Sequence, residues 1–167
     1  LTDSAASVSA VFEEKVRRVL AANGITRVSA TEWYPVAAVA RTLATVGEAA
    51  GPETLRQTGE RMVTDERSLS VPPSPGEAFE TLDEFVAGEA HRGPAAERVA
   101  ACRARRREPG RWRVAAGAGY RYPPAFAEGV FRATAATAVG VDPAGVAVES
   151  VPETDDEEAE RFELVRD

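Results

Sequence analysis

The sequence predicts an α+β domain: an N-terminal helical bundle packed on a four-stranded antiparallel sheet, with a ββαββ C-terminal half. Three observations carry this. Apolar residues recur at helical spacing as far as about residue 93. Beyond Pro94 the period changes to strand alternation around turn residues. One more amphipathic helix then separates two strand pairs, an order that suits a sheet covered on one side by helices. At 167 residues the chain is read as one domain, 1-93 helical and 94-167 sheet-forming.

The first helix follows from Val8, Val11, Phe12, Val16, Val19 and Leu20, with Glu13, Glu14, Arg17 and Arg18 opposite. Asn23-Gly24 stops it, since Gly enters the left-handed region at little cost. Thr31 and Pro35 suit the start of a second helix running to Ala50, with Val36, Val39, Leu43 and Val46 inward. Gly51-Pro52 breaks it and starts a third, carrying Leu55, Gly59, Met62 and Val63. An internal Gly59 is weak helix former, and close helix packing explains it. Thr64 to Pro75 reads as a polar linker, and Ser74-Pro75-Gly76-Glu77 as a capping box. The fourth helix then places Ala78, Phe79, Leu82, Phe85 and Val86 inward and ends near His91-Arg92-Gly93-Pro94.

Strands are expected at Arg98 to Arg106 and Arg111 to Ala116, around the turn Arg107-Glu108-Pro109-Gly110. Gly119 to Arg132 is a strand-to-helix joint rich in aromatic residues and proline. The helix it opens uses Phe126, Val130, Phe131, Thr134 and Ala138, and stops at Gly140. Val146 to Val151 and Arg161 to Val165 form the last strand pair, across an acidic loop.

Composition narrows the function classes. Hydrophobic residues are 44% and charged residues 28%, enough to bury a core. No apolar run is long enough to span a bilayer, and no signal-peptide layout is present, so a cytoplasmic location without membrane partners is expected. Cys102 is the sole cysteine, which fits a reducing compartment. A net charge of −7 argues against nucleic acid as a partner. Charge is also segregated: Glu97 to Arg113 is Arg-rich, and Glu149 to Glu160 is acidic with no base. The two runs are expected to face each other in the fold, although the Arg-rich hairpin also suits an anionic ligand.

Catalytic chemistry is not indicated, and the chain is read as a non-enzyme. One His and one Cys make no metal cluster, nothing joins His91 to Cys102, and Gly117-Ala118-Gly119 lacks the spacing of a phosphate loop. Aromatic residues are the better candidates, either as core or as the lining of an apolar pocket.

Two stretches carry a family resemblance over nearly the whole chain. Gly51-Pro52-Glu53-Thr54-Leu55-Arg56-Gln57-Thr58-Gly59-Glu60 is similar to a helix ending in Gly and a polar residue. Tyr122-Pro123-Pro124-Ala125-Phe126-Ala127-Glu128-Gly129-Val130 is similar to a strand-to-helix junction with a Gly-apolar helix start. Both resemble the superfamily of haem–nitric-oxide/oxygen-binding (H-NOX) domains and 4-vinyl-reductase-type sensor domains. Haem-binding members hold iron through a late helical His and the propionates through Tyr-x-Ser-x-Arg. His91 stands 29 positions before Tyr120, a fitting separation. Here, however, the Ser position is Tyr122 and the Arg position is Pro124, and Arg121 would point away from Tyr120. The cysteines of the vinyl-reductase type are missing as well.

The resemblance therefore implies a haem-free member: a sensor or regulatory domain for a small apolar or aromatic ligand, with no cofactor and no metal. Its site would lie between helices and sheet around Trp33, Tyr34, His91, Tyr120, Tyr122 and Phe126. Two alternatives stand beside it. One is a homodimerising interaction module without a ligand. The other is a haem gas sensor with His91 as axial ligand.

Overall fold

A computed structural model describes residues 10–29, 32–65, 70–86, 102–116, 122–151 and 161–166. Helix α1 covers Ala10–Ala22 and buries Val16 and Leu20. It ends as the Asn-Gly signal predicts. Gly24 takes φ 87°, the Gly24 amide donates to Ala21 at 3.0 Å, and the Ile25 amide reaches back to Leu20 at 2.9 Å. This is a Schellman ending, which satisfies the last carbonyls and folds the buried Ile25 onto the helix.

Helix α2, Val36–Ala50, begins directly after Pro35, whose ring presets the entry; Thr31 lies outside the described residues. Leu43 and Val46 are buried as expected, whereas Val36 and Val39 are half-buried. Gly51, at φ 88°, turns the chain into α3, Pro52–Thr64, with Pro52 in the first turn. Leu55, Gly59 and Val63 share the buried face at spacings of four. Met62 departs from expectation. It lies off that row and is 37% exposed.

Helix α4 is Pro75–Phe85, with Phe79 and Leu82 deeply buried. Ser74 stands at its N-cap in extended conformation, but its side chain makes no cap hydrogen bond, so the expected capping box does not close. Only the Ser74 carbonyl serves the helix, accepting from the Ala78 amide at 2.8 Å. The expected extension to His91 lies outside the described residues.

Strands β1 (Cys102–Glu108) and β2 (Arg111–Ala116) pair antiparallel through a tight Pro109-Gly110 turn, with Gly110 at φ 78°. The first strand runs two residues further than the sequence suggests. Arg107 and Glu108 belong to it, and a register shift between Arg106 and Glu108 takes up the extra residue as a bulge. Helix α5, Pro124–Val139, ends at left-handed Gly140. A short 3-10 turn at Pro143–Gly145, capped by the Asp142 carboxylate, leads into β3 (Val146–Val151), which pairs antiparallel with β4 (Arg161–Arg166). The sheet order is β1-β2-β4-β3.

The layering corrects one expectation. The sheet is covered chiefly by α4 and α5; α3 packs on α5, α2 on α3 and α1 on α2. The reason is composition. Helix α5 is rich in Ala and buried along most of its length, so it works as a central rod with neighbours on both sides. Val114 on β2 is fully buried beneath this layer, and Phe79 of α4 meets Phe131 of α5 edge-on, with ring centroids 5.9 Å apart.

Candidate functional site

The start of α5 is built by consecutive prolines. Pro123 at the N-cap and Pro124 in the first turn have no amide hydrogens to leave unpaired, and each restricts the residue before it to extended backbone. The amides of Phe126 and Ala127 both donate to the Pro123 carbonyl, at 2.9 and 3.1 Å. Phe126 is thereby set into the core at 5% exposure, and the half-buried Tyr122 ring packs against it at 5.4 Å. Burial pushes the Tyr122 hydroxyl up to about 12, so it remains a neutral phenol at physiological pH.

The next turn of α5 crosses α3 at backbone distance. A Cβ on Gly59 would stand 2.3 Å from the Phe126 carbonyl oxygen, and one on Gly129 would stand 2.0 Å from that of Arg56. Neither position admits a side chain. The two stretches that resemble the superfamily, Gly51–Glu60 and Tyr122–Val130, are thus the two halves of a single contact. Around the glycines the helices carry opposed charge pairs, Arg56 and Glu60 on α3 against Glu128 and Arg132 on α5. The Arg56 Nε donates to Glu128 Oε1 at 2.7 Å and its NH2 to Oε2 at 3.0 Å, a bidentate pair with each side chain about one-fifth exposed. Arg132 donates to Glu128 at 3.1 Å and to Glu60 at 3.5 Å, and Glu53 also holds Arg56. The hydrogen bonds it donates to Glu128 raise the Arg56 guanidinium further above its already high value. Glu60 moves upward instead, because burial outweighs the attraction of Arg132.

The predicted site residues do not all act alike. Tyr122 and Phe126 are brought together. Tyr34 is occupied locally: its hydroxyl accepts from the Ser29 amide at 2.7 Å and donates to the Arg27 carbonyl at 3.0 Å, tying down the chain between α1 and α2. Trp33 beside it is 46% exposed. His91 and Tyr120 lie outside the described residues, as does the acidic loop at 152–160. The expected facing of the charged runs is not met among the described residues: Arg113 stands opposite Glu163 in backbone register, beyond the acidic run, and Glu149 of that run also pairs with Glu163 rather than with the Arg-rich hairpin. Among the described residues no group of three or more His, Cys, Asp or Glu side chains could hold a metal ion, and no helix is long and apolar enough to cross a membrane.

At the other end of α5 an open cleft of about 330 Å³ lies between the start of α4, the β1–β2 turn and β3. Pro73, Pro75, Trp112, Ala135, Val139 and Val146 give it apolar walls, with Arg106 at its edge. Sequence reasoning did not find this cleft. Its only signal was Trp112 alternating with arginines, which reads equally as a half-buried strand.

No family model and no curated protein matches this sequence. The fold does match solved structures. One belongs to work probing the function of haem distortion in the H-NOX family, with a TM-score of 0.59. A second comes from work on modulating haem redox potential through protein-induced porphyrin distortion, with a TM-score of 0.55. Each is 16% identical and covers 90% of this chain and 82% of the other. A mutant of T. tengcongensis H-NOX matches at 16% identity and TM-score 0.52, covering 90% of this chain and 85% of its own. The chain therefore has an H-NOX-like fold.

Proposed function

We propose that this chain is a non-catalytic sensor or regulatory domain that binds a small apolar or aromatic molecule without haem, at the joint where α5 begins. The observation that supports this best is the joint itself. An aromatic pair, Tyr122 and Phe126, sits at a helix start pinned by the Gly59–Gly129 crossing, within a fold shared over 90% of the chain with H-NOX structures. A neutral, half-buried phenol next to a phenyl ring suits an uncharged ligand, with the hydroxyl giving orientation.

Haem itself does not fit the described residues of this joint. Its carboxylates need cationic or N–H donors. Pro123 and Pro124 offer neither, and the half-buried Tyr122 carries one neutral hydroxyl. If a haem were held, His91 would be the axial ligand the spacing suggests, without the propionate clamp that accompanies it.

Visible spectroscopy and native mass spectrometry on the whole chain test this reading. Addition of haemin is expected to give the spectrum of free haemin, identical in wild type and His91→Ala. Native mass spectra of protein purified from cells are expected to carry a retained small molecule that Tyr122→Ala loses. A shifted Soret band in wild type that disappears in His91→Ala overturns the haem-free reading. A ligand-free mass spectrum overturns the binding role.

A further inference from the structure

The cleft at the far end of α5 is a second place where chemistry is assembled. Phe126 and Val139 are separated by about 20 Å along the helix at its ordinary rise per residue, so this cleft and the joint are different sites. Trp112 and Arg106 stand directly opposite each other in the β1–β2 register, which puts both side chains on one face of the sheet. That face is the helix-covered one, since Val114, two residues beyond Trp112, is buried on it. Alternation sends Arg105 and Arg113 to the other face. Arg106 is thus the strand arginine that the fold aims at the cleft, and the bulge directly after it ends regular pairing at the rim.

The two side chains are also uncommitted. Among the described residues Arg106 makes no ion pair and no ring contact, and the Trp112 indole N–H has no acceptor. The indole lies over Gly76, where a Cβ would be at an ordinary contact distance of 3.7 Å from the ring, and beside Pro75. The failed capping box adds to this. Because the Ser74 side chain does not cap, the Gly76 and Glu77 amides at the start of α4 have no acceptor within the helix.

From this arrangement we infer that the cleft is a binding site for a planar aromatic carboxylate. The ring stacks on Trp112 against the apolar wall at Val139, and the carboxylate pairs with Arg106 at the rim. A volume of about 330 Å³ is at the small end of ligand pockets and suits a molecule of one or two fused rings. Arg106 explains the need for an anion, and the indole explains the need for a ring. Neither inorganic phosphate nor a neutral arene satisfies both.

The test uses 1-naphthoate with the full chain in a Trp33→Phe background, so that Trp112 alone reports fluorescence, with calorimetry alongside. Saturable 1:1 binding with quenching of Trp112 is expected. The neutral analogue 1-naphthalenemethanol is expected to bind at least fivefold more weakly, and phosphate not to compete. Arg106→Gln, at an exposed strand position that leaves the fold intact, is expected to weaken naphthoate at least fivefold. Val139→Phe, which fills the cleft, is expected to abolish binding. Tyr122→Ala is expected to leave it unchanged, which separates this site from the joint. Absence of binding overturns the inference. So does equal affinity in Arg106→Gln, competition by phosphate, or loss of binding in Tyr122→Ala.

Discussion

Helix α5 has two unlike ends. At its start the backbone of α3 lies so close that two glycines are obligatory, and charged side chains bracket the contact. At its finish the neighbouring elements stand apart and leave Trp112 beside open space. The same Ala-rich helix supports both because small side chains let a partner helix approach at one end and leave room at the other. Rigidity and vacancy are thus divided along one rod. The crossing holds the architecture, and the open cleft lies at the opposite end.

The sharpest way to break this contrast is to place a methyl group at the crossing. Gly129→Ala would push into the Arg56 carbonyl, a backbone atom that cannot rotate away, and should cost about 3 kcal/mol. A calorimetric scan is expected to show a midpoint lower by about 6–12 °C for a chain of this size. A midpoint within 2 °C of wild type would show that the helices can part, and the rigid end would lose its meaning. The cleft end should behave differently, since Arg106→Gln is expected to leave the midpoint unchanged.

The charged bracket is the next largest effect. Glu128 serves both Arg56 and Arg132, so Glu128→Gln removes their shared carboxylate and leaves Arg56 only Glu53 and Arg132 only Glu60; it is expected to cost about 2 kcal/mol. Replacing the pair together, Arg56→Met with Glu128→Leu, should recover part of that loss, because the partly buried Arg56 charge is removed along with its carboxylate and Arg132 keeps Glu60. Glu60→Gln should cost less than about 1 kcal/mol, since burial already disfavours the Glu60 carboxylate. Urea denaturation of the single and double variants measures the difference, and equal losses for Glu128→Gln and Glu60→Gln would refute the ranking.

The last effect is confined to alkaline pH. Tyr122 has its ionisation raised from 10.0 to about 12 in the fold by burial. Its contribution to stability is therefore complete below pH 10 and is lost as pH climbs through about 12. Ultraviolet titration should show a late phenolate step that Tyr122→Phe removes; a first step near pH 10 belonging to Tyr122 would contradict its burial.

Local signals in the sequence were dependable where the physics was local. Gly24, Gly51, Gly110 and Gly140 all adopt positive φ at the turns their neighbours suggested, and Gly59 is a close-packing glycine as expected. Where a feature needed two distant segments, the sequence was mute. Arg56 and Glu128 are 72 residues apart, and no short window reveals that they meet. The cleft is assembled from the segment at Pro73, the β1–β2 hairpin and the end of α5, so each piece alone looked like linker, strand or helix. Ser74 failed for a related reason, since a sequence signature fixes which residue stands at the cap and not where its hydroxyl turns. Met62 failed because a helical period tolerates a position one step off the buried row.

The Gly59–Gly129 crossing also bears on how the protein is made. Synthesis at about 5–20 residues per second leaves roughly 4–14 s between the emergence of α3 and that of α5. Throughout that interval the glycine notch of α3 has no ridge to receive, and Arg56 has no bidentate carboxylate. The nascent N-terminal helices must therefore wait, incompletely packed, for a partner encoded late in the message.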